Sequence, residues 1–313
     1  MPSFAQATTE QLALNDNLCP FTPAKGPSVV WPEFDPSPRQ FTDDGMSIEF
    51  NHDIPMRDGV RLRADIFRPA ATLDASAKIP IILVITPFGK QKPMDIGQIP
   101  PSREFDPGLN GVSYSKYMVF EGSDPVLWTR QGFSYVVVDA RGSFASEGEK
   151  AQLCAKSDGL DGYDVVEYLA TLPWSNGRVG MIGASGLGAI QWQVAALRPP
   201  HLGGILVQDA FTDMYADVVY KGGVLHRNFL EGIDSLYMPH GNRVGGPKIH
   251  LAKLADLHPY RDETWKLYAP DVTEIVCPMY IVSSLADNGI HTPGTIRGYL
   301  AASSKVKYLE LHP

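Results

Sequence analysis

Cysteine is scarce in this chain: Cys19, Cys154 and Cys277 stand far apart among 313 residues, and no two form a C-x-x-C pair. An odd number at such separations supports neither a disulfide framework nor a zinc site, so the thiols read as reduced. Positive charge is also short, with 27 Lys and Arg against 35 Asp and Glu, a net charge of −8 and no basic block. Binding to nucleic acid or to an anionic membrane surface therefore has no electrostatic support. No apolar run approaches the ~20 residues of a membrane span. Residues 1 to 30 lack the basic start and apolar run of a secretory leader. The expectation is a soluble, cytoplasmic protein that works on a small molecule, with no metal or organic cofactor and with neither nucleic acid nor membrane as partner.

What is present suits a large core. Hydrophobic residues make up 44% of the chain, enough for one core, with or without a cap. The 29 Gly and 26 Pro imply many turns between short elements. The stretch from Arg178 to Arg198 organises the rest. A short apolar strand, Val179 to Ile182, runs into small residues, and a helical pattern follows with Leu187, Ile190, Val194 and Leu197 at helical spacing. Ser185 sits on the corner. A serine there is held on a tight strand-to-helix turn, and the next N–H, on Gly186, lies at a helix N-terminus where an oxyanion is favoured. The usual pattern is Gly-x-Ser-x-Gly, whereas here Gly183, Ser185 and Gly188 leave the last glycine one place late. Dinucleotide binding is the rival, because Asp209 ends the next apolar strand, but the glycines read Gly-x-x-Gly-x-Gly rather than Gly-x-Gly-x-x-Gly.

Residues 1 to 45, rich in Pro, Thr and Ser, read as an N-terminal arm, and 46 to 313 as one domain. Met46 to Ile54 and Val60 to Phe67 flank a turn at Arg57-Asp58-Gly59 and make an antiparallel start. Ile79 to Ile85 is nearly all apolar, as a strand buried on both faces should be. A Pro/Gly-rich excursion over 90 to 123 follows, then a short helix opened by Asp124-Pro125, a strand over Phe133 to Asp139, and an amphipathic helix from about Asp158 to Leu172. Residues 212 to 275, with many aromatics, break the alternation and read as a helical cap inserted over the sheet's carboxyl edge. The core pattern returns at Met279 to Ser284 and again at Val306 to Pro313. The fold class is α/β, a mostly parallel open sheet of about eight strands.

A serine needs a base, and the base an orienting acid, which in α/β-hydrolases follow in the order Ser, acid, His. Ser185, Asp287 just after a buried strand and His312 at the last strand's end fit that order. Asp209 or Asp213 could also serve as the acid, and His291, His240 or His226 as the base.

Several segments together resemble one family, the cocaine-esterase-like and Xaa-Pro dipeptidyl-peptidase group, which includes α-amino-acid ester hydrolases. They are Ile54 to Leu62 (Ile-Pro-Met-Arg-Asp-Gly-Val-Arg-Leu), Asp139 to Gly148 (Asp-Ala-Arg-Gly-Ser-Phe-Ala-Ser-Glu-Gly), and the elbow with Gln191-Trp192-Gln193. The resemblance spans roughly residues 46 to 313. It implies the α/β-hydrolase fold, with Ser185 as nucleophile, Asp287 as orienting acid and His312 as general base, and it accommodates the Gly-x-Ser-x-x-Gly spacing. Three departures accompany it. Phe88 stands where the family usually has an oxyanion-binding tyrosine, which leaves the hole to the N–H of Gly186 and one from Phe88 or Gly89. Gly186 replaces a frequent tyrosine. The chain stops at Pro313, where relatives continue through a closing helix and usually a β-sandwich domain, so it reads either as a shortened piece or as a natural minimal form with His312 at its terminus. The implied activity is a serine hydrolase that cleaves an ester or an amide of a small apolar substrate. An acyltransferase of the same fold and a non-catalytic binding protein are the competing readings.

Overall fold

The computed structural model describes residues 37–73, 78–91, 115–148, 153–236, 250–287 and 289–313. Nine strands form one sheet: β1 (Arg39–Asp43), β2 (Met46–Pro55), β3 (Arg61–Pro69), β4 (Ile79–Thr86), β5 (Ser134–Asp139), β6 (Ser175–Ala184), β7 (Leu202–Gln208), β10 (Met279–Ser284) and β11 (Lys307–His312). A separate two-stranded ribbon pairs β8 (Tyr220–Lys221) with β9 (Val224–Leu225). The large sheet runs β1-β2-β3-β5-β4-β6-β7-β10-β11. Its first three strands pair antiparallel, β3 joins β5 antiparallel, and every pairing from β5 to β11 is parallel. Residues 39–43 fell at the end of the expected arm, but Arg39 to Asp43 pair with Phe50 to Met46 as an edge strand. Residues 1–36 of that arm lie outside the described residues.

The period-2 reading of the strands explains the two cores. Leu62, Ala64, Ile66, Ile81, Leu83, Ile85, Val136 and Val138 point to one face, and Phe67, Val84, Tyr135 and Val137 to the other. On the first face lie α2 (Lys156–Ala170) and α3 (Ser185–Ala196), which bring Val165, Val166, Leu169, Ile190 and Val194. On the second, Val126 of α1 (Pro125–Arg130) packs with Met46 and Ile48. The Asp124 carboxylate caps α1 by accepting the Val126 N–H at 2.9 Å. Gly162 lets α2 lie directly on α3: a Cβ there would stand 2.3 Å from Val194 Cγ2.

The expected cap takes shape as one turn of π-helix (Met214–Val219), the ribbon, α4 (Arg227–Leu236), α5 (Leu251–Leu257) and α6 (Glu263–Lys266). Residues 237–249 of that span lie outside the described residues. Trp265 and Tyr268 are buried at its base. Helix α7 (Thr292–Ala301) then lies between β10 and β11 in the chain.

Candidate active site

Strand β6 enters the elbow extended and α3 begins at once, so Ser185 must turn the chain within one residue. It does so at φ +50°, a left-handed conformation that costs a non-glycine residue about 1–3 kcal/mol. Surrounding contacts hold it there. The Ser185 N–H donates to the Asp209 carbonyl at 2.9 Å, and the Ala184 N–H to the Glu121 carbonyl at 3.0 Å. The late glycine of the motif also has a steric purpose, since a Cβ on Gly188 would stand 2.7 Å from Ala210 Cβ. Helix α3 can therefore start flush against the chain leaving β7.

The second half of the site is the segment after β10. Thr292 Oγ1 donates to the carbonyls of Ser284 and Asp287, both at 2.6 Å, and folds this segment into a compact turn ahead of α7. His291 occupies the residue before α7, four after Asp287. Its Nδ1 is hydrogen-bonded to Asp287 Oδ2, and its Nε2 lies 3.0 Å from Ser185 Oγ. A carboxylate, an imidazole and a hydroxyl thus form one unbroken chain. The hydrogen bond from His291 holds the Asp287 carboxyl below the usual carboxylate range, against a smaller upward push from burial. Such a chain can draw the proton from the hydroxyl while the carboxylate steadies the imidazolium.

The structure brings Ser185 and Asp287 together, as expected, but joins them through His291 rather than His312. His312 does lie at the carboxyl edge, level with Ser284 on the neighbouring strand. However, β11 is the edge strand, three positions from β6 in the sheet. At roughly 4.8 Å per strand that is about 14 Å sideways, and the His312 ring instead meets its own neighbour's carbonyl, Pro313 O, at 3.1 Å. Asp287 and His291 sit in the turn between β10 and α7, and that turn brings the His291 ring to Ser185 Oγ. His291 is among the alternative bases the sequence offers; its position four residues from the acid is a local signal that could have singled it out.

Asp209, Asp213, His226 and Phe88 have different places. Asp209 ties the two halves together: its carbonyl takes the Ser185 N–H and its Oδ1 takes the Ser284 N–H at 2.6 Å. Asp213 pairs with Arg261 at 2.6 Å, and the His226 ring stacks on Phe229. His240 lies outside the described residues. Phe88 also needs correction as an oxyanion donor, because its N–H is engaged by Thr86 Oγ1 at 3.0 Å. The N–H of Gly186, in the first turn of α3, has no intrahelical acceptor and faces the Glu121 carboxyl, which a substrate oxygen would have to share or displace there. Glu121, which no sequence signal marked, lies beside it.

Above the serine is a cavity of about 220 Å³ with an apolar wall that includes Phe88, Phe211, Met214, Val218, Phe229 and Leu251. The cap supplies much of that wall. Among the described residues no group of three or more His, Cys, Asp or Glu side chains could hold a metal ion, and no helix is long and apolar enough to cross a membrane.

Comparison with known proteins shows the family and the fold. A family model described as X-Pro dipeptidyl-peptidase (S15 family) matches residues 58–313. Cocaine esterase from Rhodococcus sp. is 33% identical over 195 residues, covering 62% of this chain and 29% of the esterase. The chain thus spans less than a third of that relative's length. Among solved structures, a CocE/NonD family hydrolase from Staphylococcus aureus superposes with a TM-score of 0.73 at 30% identity, over 85% of this chain and 46% of the other. An α-amino acid ester hydrolase superposes with a TM-score of 0.59 at 21% identity, over 90% of this chain and 48% of the other, a likeness of fold. The fold is that of the α/β-hydrolases.

Proposed function

The chain belongs to the X-Pro dipeptidyl-peptidase (S15) family, and from that premise we propose that it is a serine hydrolase that cleaves an ester, or an amide, of a small apolar substrate through an acyl-serine intermediate. The observation that carries this reading is the 3.0 Å contact between His291 Nε2 and Ser185 Oγ, with Asp287 on the far side of the ring.

In the first half-reaction Ser185 Oγ attacks the carbonyl carbon and His291 Nε2 takes the hydroxyl proton. The carbonyl π pair moves onto oxygen, beside the Gly186 N–H. Collapse of this intermediate expels the alcohol or amine, which takes the proton from His291 and leaves an acyl-Ser185. Water then repeats the sequence with His291 again as base and releases the acid. Asp287 remains a carboxylate throughout and fixes the tautomer in which Nε2 accepts. The apolar cavity favours an acyl group without charge.

The test is to incubate the protein with p-nitrophenyl butyrate, quench early, and map the adduct by peptide mass spectrometry. A butyryl group on Ser185, absent from Ser185→Ala, is the expected result. Hydrolysis that persists in Ser185→Ala would refute the acyl-serine route.

A further inference from the structure

The proton relay leaves a buried titratable group beside it unused. Glu121 lies in a turn whose φ of +59° and whose carbonyl contact with the Ala184 N–H fix it against the end of β6. The residue as a whole is part-exposed, yet its Oε2 is sealed from solvent and has no well-formed hydrogen bond among the described residues. That oxygen stands 3.7 Å from the point a Cβ on Gly186 would occupy, a point also 3.7 Å from Phe88 Cζ and 3.8 Å from Cys154 Sγ. An orphaned carboxyl oxygen in such a place is costly, about 1–3 kcal/mol or more. It calls for a ligand.

The site lacks a donor in the same place. Catalysis of acyl transfer rests on preorganised donors aimed at the developing oxyanion, usually more than one. Phe88 has no hydroxyl, and its N–H is taken by Thr86. Of the other donors read from the sequence, the Gly186 N–H stands beside Glu121, and the Gly89 N–H is the remaining candidate. We propose that Glu121, as a neutral carboxylic acid, is the second oxyanion donor: its O–H hydrogen-bonds the substrate's carbonyl oxygen as charge builds there, with no net transfer of its proton. This assignment rests on Ser185 being the nucleophile.

The surroundings keep the acid neutral. It faces the Ser185 hydroxyl and the N–H groups of Gly186 and Leu187, which favour its charged form, but burial outweighs them and pushes it up to about 8. The other titratable groups around it are Cys154 beside Gly186, His291 across the cavity, and Asp124 in the adjoining cleft. No lysine or arginine is among the described residues that line either space. A carboxylate there would repel the oxyanion, whereas the acid stabilises it. The sign is therefore fixed: the donor is present below about pH 8 and lost above it.

Ester hydrolysis is to be followed with p-nitrophenyl butyrate from pH 6 to 10. The wild type should lose kcat as pH rises through the range where Glu121 ionises. Glu121→Gln, whose amide donates without titrating, should keep kcat within a few-fold at pH 7 and lose that alkaline fall. Glu121→Ala should lose about 10²–10³ in kcat with KM little changed. Glu121→Ala as fast as the wild type, or faster, would show an occupant of the hole rather than a donor in it and would overturn the proposal. An alkaline fall that persists in Glu121→Gln would do the same. Labelling of wild-type Ser185 by a fluorophosphonate, run in parallel, separates the failures: labelled serine with an indifferent Glu121 sinks this inference alone, while unlabelled serine sinks the reading beneath it.

Discussion

Asp287→Asn isolates the orienting carboxylate with almost no change of shape. In the native site Asp287 accepts from His291 Nδ1, so Nε2 is left to accept the Ser185 proton. An asparagine can turn its amide toward Nδ1 and donate. That places the ring proton on Nε2, aimed at the serine, where the ring cannot act as base. The loss has a second part, because the imidazolium formed during attack no longer faces a negative charge. Unit charges 4 Å apart attract by about 4 kcal/mol at an effective dielectric of 20, but by only about 1 in water. The Asp287 side chain is 36% exposed, so the electrostatic part belongs between these limits. At 1.36 kcal/mol per tenfold, that is about 5- to 900-fold. Adding the tautomer penalty brings the expected loss of kcat to about 10³–10⁴-fold, the upper figure matching the same exchange in a serine-protease triad. KM should change little, and the melting temperature should stay close to that of the wild type. The assay is steady-state hydrolysis of p-nitrophenyl butyrate at pH 7.5. A kcat within threefold of the wild type would refute this reasoning.

Two further expectations concern buried charge. Lys90 Nζ lies 2.7 Å from Asp65 Oδ1, with both side chains fully buried, and donates to Asn51 Oδ1 at 2.5 Å; Lys90→Met strands that aspartate and should destabilise the fold by about 3–5 kcal/mol, so a urea denaturation showing under 1 kcal/mol would contradict this. Glu121, raised from 4.5 to about 8, makes the folded chain hold a proton that the unfolded chain has released. Wild-type stability should therefore fall as pH rises between those values, and Glu121→Gln should flatten the fall; equal urea midpoint shifts in the two proteins between pH 5 and 8.5 would count against it.

The sheet was legible because its strands carry strong local signals. Ile79 to Ile85 and Tyr135 to Val138 are apolar enough to be buried on both faces, and they became β4 and β5 at the centre of the sheet. The elbow was legible for the same reason, since a strand, small residues and a helix fall within twenty positions. Edges were harder. Arg39 to Asp43 are exposed along most of their length and pair only on one side, so no hydrophobic period marked them as a strand.

At the site, Ser185 and Asp287 followed from chain order, while the base did not. His312 stands at a strand end, as the order of elements suggests, but lateral position in a sheet is set by topology, which a linear reading does not contain. The spacing from Asp287 to His291 is local and could have decided it. Glu121 had no local signal at all: its role depends on a turn being drawn against β6 by a backbone contact with Ala184, and on there being no lysine or arginine among the described residues that line the spaces around its carboxyl. Phe88 failed as a donor for a comparable reason, since the side chain two residues earlier claims its N–H.

The most direct check compares the two histidines. His291→Ala and His312→Ala are each exposed to a fluorophosphonate probe, and the rate of labelling at Ser185 is followed by mass spectrometry. With His291 Nε2 at 3.0 Å from the serine oxygen and the His312 ring bonded to Pro313, His291→Ala should label at least about 10²-fold more slowly than the wild type, the lower range for general-base catalysis, while His312→Ala labels at the wild-type rate. Fast labelling of His291→Ala together with loss of labelling in His312→Ala would contradict the proton path described here.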